Sequence, residues 1–155
     1  MDNSNSSRVD VEKISGKIAL TEAELIDLSA EINQPIYWVG PDTESTYTLT
    51  IAEGEQAYVK YLPAGVLPGE GDTALRIIAT YLRQDAFAVT QAAANNPGAV
   101  SLSNSQGGAI YYNSATPNNV YLAYPGQNFQ IEIFDPIPGA ALEFALTPDK
   151  ISRVR

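Results

Sequence analysis

The hydrophobic positions of the chain follow two periods, and the change comes after residue 35. Before it, three apolar residues recur at the spacing of a helix: Leu25, Leu28 and Ile32. Thr21 and Glu24 stand at the start of this run with the spacing of a capping box, in which each side chain bonds the other's free backbone N–H. We therefore predict an amphipathic helix over residues 22–33.

From residue 36 onward the apolar positions alternate with period two, which is typical of β-strands. The run "STYTLTI" alternates strictly, and "QAYVKYL" after it completes a predicted hairpin. The most apolar run, "ALRIIATYL", predicts a strand in the centre of a sheet. Further strands are predicted at "AVSLSN", at "AIYYN" and in "VYLAYPGQNFQIEIF", where Pro125 and Gly126 fit the centre of a type II turn.

Helical segments interrupt the strands twice more. The stretch "RQDAFAVTQAAANNPG" predicts a second helix with Asp85 as its N-cap, and its length allows a crossover between parallel strands. "PIPGAALEFALTPD" indicates a short third helix, and "ISRV" a closing strand. We predict an α+β fold: a mostly antiparallel mixed sheet with one β-α-β crossover and two or three packed helices.

The chain is organised as one domain behind a polar segment. Residues 1–17 are rich in Ser and Asn, which predicts a flexible tail or linker. Residues 18–155 are predicted to form a single α+β globular domain, since this length suits one core. No apolar run approaches the ~18 residues of a membrane span, so we expect no direct membrane insertion of this chain.

Composition excludes several kinds of chemistry. The chain has no histidine and no cysteine, which rules out Ser-His and Cys-His triads and a His/Cys zinc site. The net charge is −9, and a body of that charge repels phosphate backbones, so we expect no nucleic-acid partner. Between residues 18 and 149 the only cations are Lys60, Arg76 and Arg83.

No cofactor or metal site is predicted. A P-loop motif is absent. The stretch "GEGDTA" at 69–74 matches the dinucleotide fingerprint in its G-x-G-x-x-A form, but it follows a Pro-rich loop and precedes a β-rich run. We therefore interpret it as a loop.

Four pairs of carboxylates keep a glycan hydrolase open as an alternative, because glycoside hydrolysis uses two such groups. The pairs are Asp42 with Glu44, Glu53 with Glu55, Glu70 with Asp72, and Glu132 with Asp135. The first three lie in predicted turns, where acids are solvated. Glu132 alternates with two isoleucines, so we expect it to face water as well.

The nine tyrosines are the most unusual feature, and nearly all fall in predicted strands. A ring on a sheet face can stack on a sugar or peptide, with its hydroxyl as a polar handle, although tyrosine also packs half-buried in strands. We name Tyr61, Tyr112 and Tyr124 as candidate ligand-binding residues. Trp38 lies in "IYWV", whose two faces are both apolar, which predicts a core position for its ring.

Four stretches carry a resemblance to a family: "YWVGPDTESTYTLT", "AYVKYLPAGV", "DAFAVTQAA" and "VYLAYPGQNFQIEIFDP". From about residue 19 to its end, the chain resembles an uncharacterised domain of hypothetical proteins of actinobacteria and related bacteria. The resemblance implies a domain outside the cytoplasm, held by an N-terminal membrane segment that we do not expect within residues 1–155. It brings no activity and no catalytic residues.

Three functions follow as hypotheses. The first is a non-enzymatic binding or protein-interaction module of the cell envelope, extracytoplasmic, with a protein or a cell-envelope glycan as its ligand. The second is the carboxylate-based glycan hydrolase, and the third is a structural domain that associates with itself. The oligomeric state is left open by the sequence.

Overall fold

The computed structural model describes residues 10–52, 55–70 and 75–155. Within them, three α-helices form: α1 (Glu22–Ala30), α2 (Ala86–Ala92) and α3 (Ala140–Leu146). The strands are β1 (Tyr37–Trp38), β2 (Thr46–Ala52), β3 (Gln56–Leu62), β4 (Ile77–Leu82), β5 (Ala99–Ser103), β6 (Ala109–Asn113), β7 (Asn119–Ala123), β8 (Phe129–Phe134) and β9 (Ser152–Arg153).

One seven-stranded sheet organises the molecule. Its strand order is β2-β3-β4-β8-β7-β6-β5, and every pairing between the described strands is antiparallel. The sheet thus consists of two consecutive meanders, β2 to β4 and β5 to β8, which meet where β4 pairs with β8. The α+β prediction is confirmed, with a sheet that is antiparallel in all its described pairs.

The predicted crossover is present, but the strands that it joins do not pair. Helix α2 connects β4 to β5, and these two strands run in the same direction because four successive antiparallel pairings separate them. Strands β8, β7 and β6 lie between them. The helix therefore crosses over half of the sheet rather than over one neighbouring strand.

One face of the sheet carries the hydrophobic core, and we call it the covered face. Alternate residues of its strands point into it, among them Leu49, Val59, Ile78, Ile131 and Ile133, all fully buried. Helices α1 and α3 cover this face with Leu25, Leu28, Ala141 and Ala145, together with the small β1–β9 ribbon.

Trp38 is a core residue, as its strand pattern predicts. Its side chain is 3% exposed, and its ring centroid lies 5.7 Å from that of Tyr47. The strand that holds it, however, does not join the main sheet. It pairs with β9, so that the start and the end of the domain are tied together over the core.

Two helix starts show where local sequence rules hold and where they fail. At α1 both hydrogen bonds of the capping box form, between Thr21 and Glu24. The helix ends at Ala30, three residues before the predicted end. Asp85 does precede α2, but in the left-handed conformation (φ 56°) and without a side-chain capping bond, so the predicted cap is wrong in its chemistry.

The segment before α1 covers one edge of the sheet. A 3₁₀ turn forms over Val11–Ile14, and antiparallel bridges then join Ser15 to Thr50 and Leu20 to Tyr47 of β2. At the Leu20 bridge the two backbones exchange hydrogen bonds of 2.7 and 2.8 Å. The opposite edge, β5, pairs only with β6 in the described part of the chain.

Candidate functional site

The second face of the sheet is only partly covered. Helix α2 lies over the ends of β6, β7 and β8, where Ala109 and Ala123 are buried and Gln130 donates a hydrogen bond to Thr90 of the helix at 2.9 Å. Beyond α2 the large side chains of this face are half-buried, namely Tyr58, Tyr81, Tyr121 and Glu132. The small Ala79 between them is buried. We call this uncovered part the open face.

A single row of side chains crosses the open face through five strands. Strand register places Tyr58 of β3 beside Ala79 of β4, Ala79 beside Glu132 of β8, Glu132 beside Tyr121 of β7, and Tyr121 beside Tyr111 of β6. Neighbouring strands lie about 4.8 Å apart, so the row spans roughly 19 Å. The row has a tyrosine at each end, Tyr58 and Tyr111, and the carboxylate of Glu132 at its centre.

Three adjoining depressions lie along this row, and together we call them the tyrosine cleft. The largest, about 450 Å³, is lined by Tyr81, Tyr121 and Glu132 among others. A second of about 270 Å³ extends under α2 past Tyr111, and a third of about 190 Å³ has Ala79 in its lining. The small side chain of Ala79 leaves space between its taller neighbours in the row.

Glu132 is the polar centre of the tyrosine cleft. One carboxylate oxygen accepts the hydroxyl of Tyr81 at 2.5 Å. The other accepts the side-chain amide of Asn119 at 2.7 Å and the hydroxyl of Tyr121 at 3.3 Å. A half-buried carboxylate needs such donors, because burial without them is costly. These bonds also fix the rings of the two tyrosines against the sheet.

The same contacts change the acidity of the two tyrosines. Burial, followed by the hydrogen bond to the Glu132 carboxylate, raises the pKa of Tyr81 far above its usual value. Burial, followed by the charge of Glu132, raises the pKa of Tyr121 to about 12. Both hydroxyls therefore stay protonated at neutral pH and act as donors toward the carboxylate.

Two aromatic pairs flank the carboxylate. Tyr111 and Tyr121 stack with ring centroids 5.8 Å apart and planes at 28°. On the other side, Tyr58 and Tyr81 meet edge to face at 6.0 Å, and the Tyr58 hydroxyl donates to Gln56 at 2.7 Å. Arg83 lines two of the three depressions, and its side chain has no hydrogen-bond or ion-pair partner among the described residues.

The three tyrosines named from the sequence lie outside this cleft, on the covered face. Tyr61 is 3% exposed, and its hydroxyl donates to the carbonyl of Gly40 at 2.6 Å while accepting the N–H of Val39 at 3.1 Å. Tyr112 and Tyr124 pack against the core cluster. Their role in ligand binding stays a prediction, and the structure gives Tyr61 an evident structural task.

The sequence pattern does not single out the residues that form the cleft. It gives no preference to Tyr58, Tyr81, Tyr111 or Tyr121, and it predicts that Glu132 faces water. Alternation separates Tyr111 from Tyr112 correctly, since the two face opposite sides of the sheet. The available signal was Glu132 itself, a carboxylate between two isoleucines in a strand that is otherwise almost free of charge.

A smaller depression of about 140 Å³ lies at one end of the covered face. Within it, Arg76 pairs with the buried Asp135 at 2.6 Å, and its guanidinium lies over the rings of Tyr61 and Phe144. The second oxygen of Asp135 accepts the N–H of Ile137 at 2.9 Å. Because its polar groups satisfy one another, this depression stabilises the fold rather than presenting free groups to a ligand.

The carboxylate pairs do not come together as acid and base. Glu132 is on the open face, whereas Asp135 lies buried on the other side beside Arg76. Glu53 and Asp72 lie outside the described residues, as does most of the "GEGDTA" loop. Among the described residues, Glu132 is the only carboxylate that lines the cleft, and no group of three potential ligands is arranged to hold a metal ion.

Comparison with known proteins gives no match: no family model, no curated protein and no solved structure resembles the chain. Within the described segments, the helices are all too short to cross a bilayer.

Proposed function

We propose that this domain is a non-enzymatic binding module whose tyrosine cleft holds an uncharged, hydroxyl-rich ligand, with a glycan chain as the best fit. The observation that carries the proposal is the row from Tyr58 to Tyr111, which spans five strands and places tyrosines on both sides of the Glu132 carboxylate. A row of this kind suits an extended chain of repeating units better than a compact small molecule.

The chemistry of the row matches that of a sugar chain. Sugar rings present apolar C–H faces, which pack on aromatic rings, and hydroxyls, which need both donors and acceptors. The stacked pair Tyr111–Tyr121 offers an aromatic surface, and Glu132, Asn119 and Gln130 line the same cleft with carboxylate and amide groups. Hydrogen bonding to Tyr81 and Asn119 holds the carboxylate in place before a ligand arrives, which lowers the cost of ordering it.

Charge favours a neutral ligand. The protein carries −9, and one carboxylate lies at the centre of the cleft, so an anionic polymer would be repelled. Arg83 at the junction of two depressions balances that carboxylate locally. An uncharged glycan meets neither repulsion nor the desolvation cost of a second charge.

A binding role fits the geometry better than glycan hydrolysis. Hydrolysis by either the retaining or the inverting route uses two carboxyl groups that flank the scissile bond. Along the described lining of the cleft, Glu132 has no second carboxylate opposite it. Its hydrogen bonds from Tyr81, Tyr121 and Asn119 hold it as an acceptor.

We further propose a place in the cell envelope, outside the cytoplasm. Support comes from the family resemblance, which implies anchored extracytoplasmic proteins, and from the ligand class that the cleft suits. Glycans of the envelope are abundant uncharged or weakly charged chains, and a cleft open along its length can bind them at internal positions.

The test measures the binding of uncharged oligosaccharides, with chito-oligosaccharides and cello-oligosaccharides as probes. Changes in amide chemical shifts locate the bound ligand, and calorimetry gives its dissociation constant. Adjacent residues provide the matched variants, since Tyr111 lies on the open face and Tyr112 on the covered face. Tyr111→Ala and Tyr121→Ala are expected to weaken binding tenfold or more, which corresponds to a loss of about 1.4 kcal/mol. Tyr112→Ala is expected to retain binding.

Ala79→Leu supplies a second arm of the experiment. It enlarges a side chain in the lining of the third depression without removing a polar or aromatic group, so binding should fall. Because Ala79 is 2% exposed, the free energy of unfolding of this variant is measured beside its affinity. Loss of binding in Tyr112→Ala with retention in Tyr121→Ala would move the site to the tyrosines named from the sequence. Absence of binding to both probe classes at millimolar concentration would contradict the glycan proposal.

A further inference from the structure

The two edges of the seven-stranded sheet differ in what they leave unpaired. The β2 edge is bridged by residues 15–20, whereas β5 has no neighbour on its outer side in the described part of the chain. The carbonyl of Gly98 accepts a hydrogen bond from the N–H of Ser114 at 2.9 Å, and the N–H of Asn104 donates to the carbonyl of Gly108 at 3.0 Å. Gly98 and Asn104 therefore direct their backbone groups inward, toward the β6 side. By the alternation of antiparallel pairing, Ser101 and Ser103 direct their backbone N–H and carbonyl groups outward. Ala99 has the same parity, but its N–H donates to the carbonyl of Asn96 at 3.1 Å, so only its carbonyl is directed outward.

Strand β5 lacks the features by which edge strands normally avoid pairing. Such features are charged side chains, proline, and bulges that twist the edge away. The strand reads "AVSLS", pairs with β6 through five residues in continuous register, and leaves Ser101, Leu102 and Ser103 exposed. No strand among the described residues pairs with the outward backbone groups of Ser101 and Ser103.

The strands at this edge carry no charged side chain of their own, and the carboxylate of Asp149 accepts a hydrogen bond from Gln106 of the β5–β6 turn at 2.9 Å. From Ala86 to Ile131 the sequence contains no Asp, Glu, Lys or Arg, although the chain has 18 acidic and 9 basic residues elsewhere. This run forms α2, β5, β6 and β7, and it reaches the central strand β8. One half of the sheet is therefore neutral in a protein whose net charge is −9.

We propose that β5 pairs with β5 of a second copy of this chain, antiparallel and about a two-fold axis at Ser101. In an interface of this symmetry the same strand is present on both sides and residues near the axis lie close to their own counterparts, so a charged edge would repel itself. The neutral half of the sheet is where two copies meet without opposing like charges. The outward N–H and carbonyl of Ser101 then face those of Ser101 in the second copy, and the carbonyl of Ala99 faces the N–H of Ser103 on either side of the axis.

Side chains fit the same register. With Ser101 on the axis, Val100 lies opposite Leu102 of the second copy, and this apolar pair occurs twice. Both residues stand on the covered-face side of the sheet, where Val100 is half-buried and Leu102 is 39% exposed. The pairing joins two sheets into one and covers an apolar side chain that a single copy leaves partly in water.

The strand is short, so the association is weak and depends on concentration. Five residues of strand pairing bury far less than the ~1,200 Å² of a standard stable interface. We expect monomers at low micromolar concentration and dimers at high micromolar to millimolar concentration. High salt weakens the repulsion between two copies that each carry −9, so it should favour the dimer.

Sedimentation equilibrium over that range tests the proposal, with Ser101→Lys compared to Ser105→Lys. Both variants add one positive charge to the neutral half, but only residue 101 lies on the axis, while Ser105 is exposed in the β5–β6 turn. Ser101→Lys is expected to weaken dimerisation at least tenfold, because the two lysines oppose each other. Ser105→Lys should dimerise at least as well as the parent chain.

A complementary mixture gives a result that misfolding cannot imitate. Ser101→Lys and Ser101→Glu should each remain monomeric alone, and an equal mixture should regain association because opposite charges then face across the axis. Hydrogen exchange should show the amides of Ser101 and Ser103 gaining protection with concentration, while Val100 and Leu102 stay protected throughout. A parent chain that remains monomeric up to millimolar concentration, or an unaffected Ser101→Lys, would overturn the proposal and leave the edge to a strand of another protein.

Discussion

The two faces of the seven-stranded sheet use tyrosine for different purposes. On the covered face, Tyr47 and Tyr61 meet edge to face at 5.1 Å, and their hydroxyls bond backbone groups of the loop after β1. On the open face, the hydroxyls of Tyr81 and Tyr121 bond a side chain, Glu132, and their rings remain half-exposed. The first pair closes a loop over the core, whereas the second arranges a surface.

The hydrogen-bond partner of the hydroxyl, more than the burial of the ring, therefore distinguishes the structural tyrosines of the covered face from the surface tyrosines of the open face. A hydroxyl that satisfies a buried backbone group has no capacity left for a ligand. A hydroxyl bonded to a carboxylate at the surface can exchange that bond for one to a ligand or to water. Substitutions on the covered face should therefore mainly lower stability, whereas substitutions on the open face should mainly weaken ligand binding.

The largest expected effect is on the covered face. Tyr47 is fully buried, so Tyr47→Ala removes a whole ring from the core and should lower the free energy of unfolding by about 3–5 kcal/mol. Tyr111→Ala on the open face should cost about 1 kcal/mol, mostly from the lost stacking with Tyr121. Urea unfolding followed by Trp38 fluorescence measures both, and equal losses would contradict the comparison.

An intermediate effect comes from removing only the hydroxyl. Tyr61→Phe leaves the N–H of Val39 and the carbonyl of Gly40 without this partner, which should cost about 1–3 kcal/mol. Tyr81→Phe should cost less than about 1 kcal/mol, since Asn119 and water still serve the Glu132 carboxylate. The same urea unfolding experiment measures both losses. A larger loss for Tyr81→Phe than for Tyr61→Phe would contradict the prediction.

The smallest effect appears at high pH. An unfolded tyrosine ionises near pH 10, whereas Tyr121 ionises near 12 in the fold, because burial and the Glu132 charge raise its pKa. The folded state then holds a proton that the unfolded state has lost. This contribution to stability is present below pH 10 and is lost as the pH rises toward 12.

Replacing Glu132 should change the ionisation of the tyrosines on the open face but not on the covered face. Glu132→Gln should lower the pKa values of Tyr81 and Tyr121, although burial, the larger cause, keeps both above the usual value. Tyr61, whose pKa is raised first of all by burial and without a contribution from Glu132, should titrate as before. Ultraviolet absorbance at 295 nm follows tyrosine ionisation, and an unchanged curve for Glu132→Gln would argue against the network.

Much of the fold could be predicted because its signals are local. The capping box at Thr21, the hairpin of β2 with β3 and the turn at Pro125–Gly126 each depend on a few adjacent residues. In that turn Gln127 bonds the carbonyl of Tyr124 at 3.2 Å, and Gly126 takes a φ of 77°. Such features form from neighbours in the sequence, so the sequence pattern reveals them.

The candidate site could not be predicted for the opposite reason. Glu132 looks solvated beside Ile131 and Ile133, but its hydrogen-bond donors come from β4 and β7, whose pairing with β8 no local pattern specifies. Alternation separates Tyr111 from Tyr112 without telling which of them faces the core. The sequence pattern therefore could not reveal that Tyr61, Tyr112 and Tyr124 all point to the covered face of the sheet.

The seam between β4 and β8 has a consequence for how the chain folds. Every other pairing of the main sheet lies within one of the two meanders and joins strands that follow each other in sequence, whereas the seam joins strands separated by α2, β5, β6 and β7. Closing so long a segment costs chain entropy before any contact compensates for it. We therefore expect the pairing of the two meanders along Ile78 and Ile133 to be the slow step of folding, after hairpins have formed within each meander.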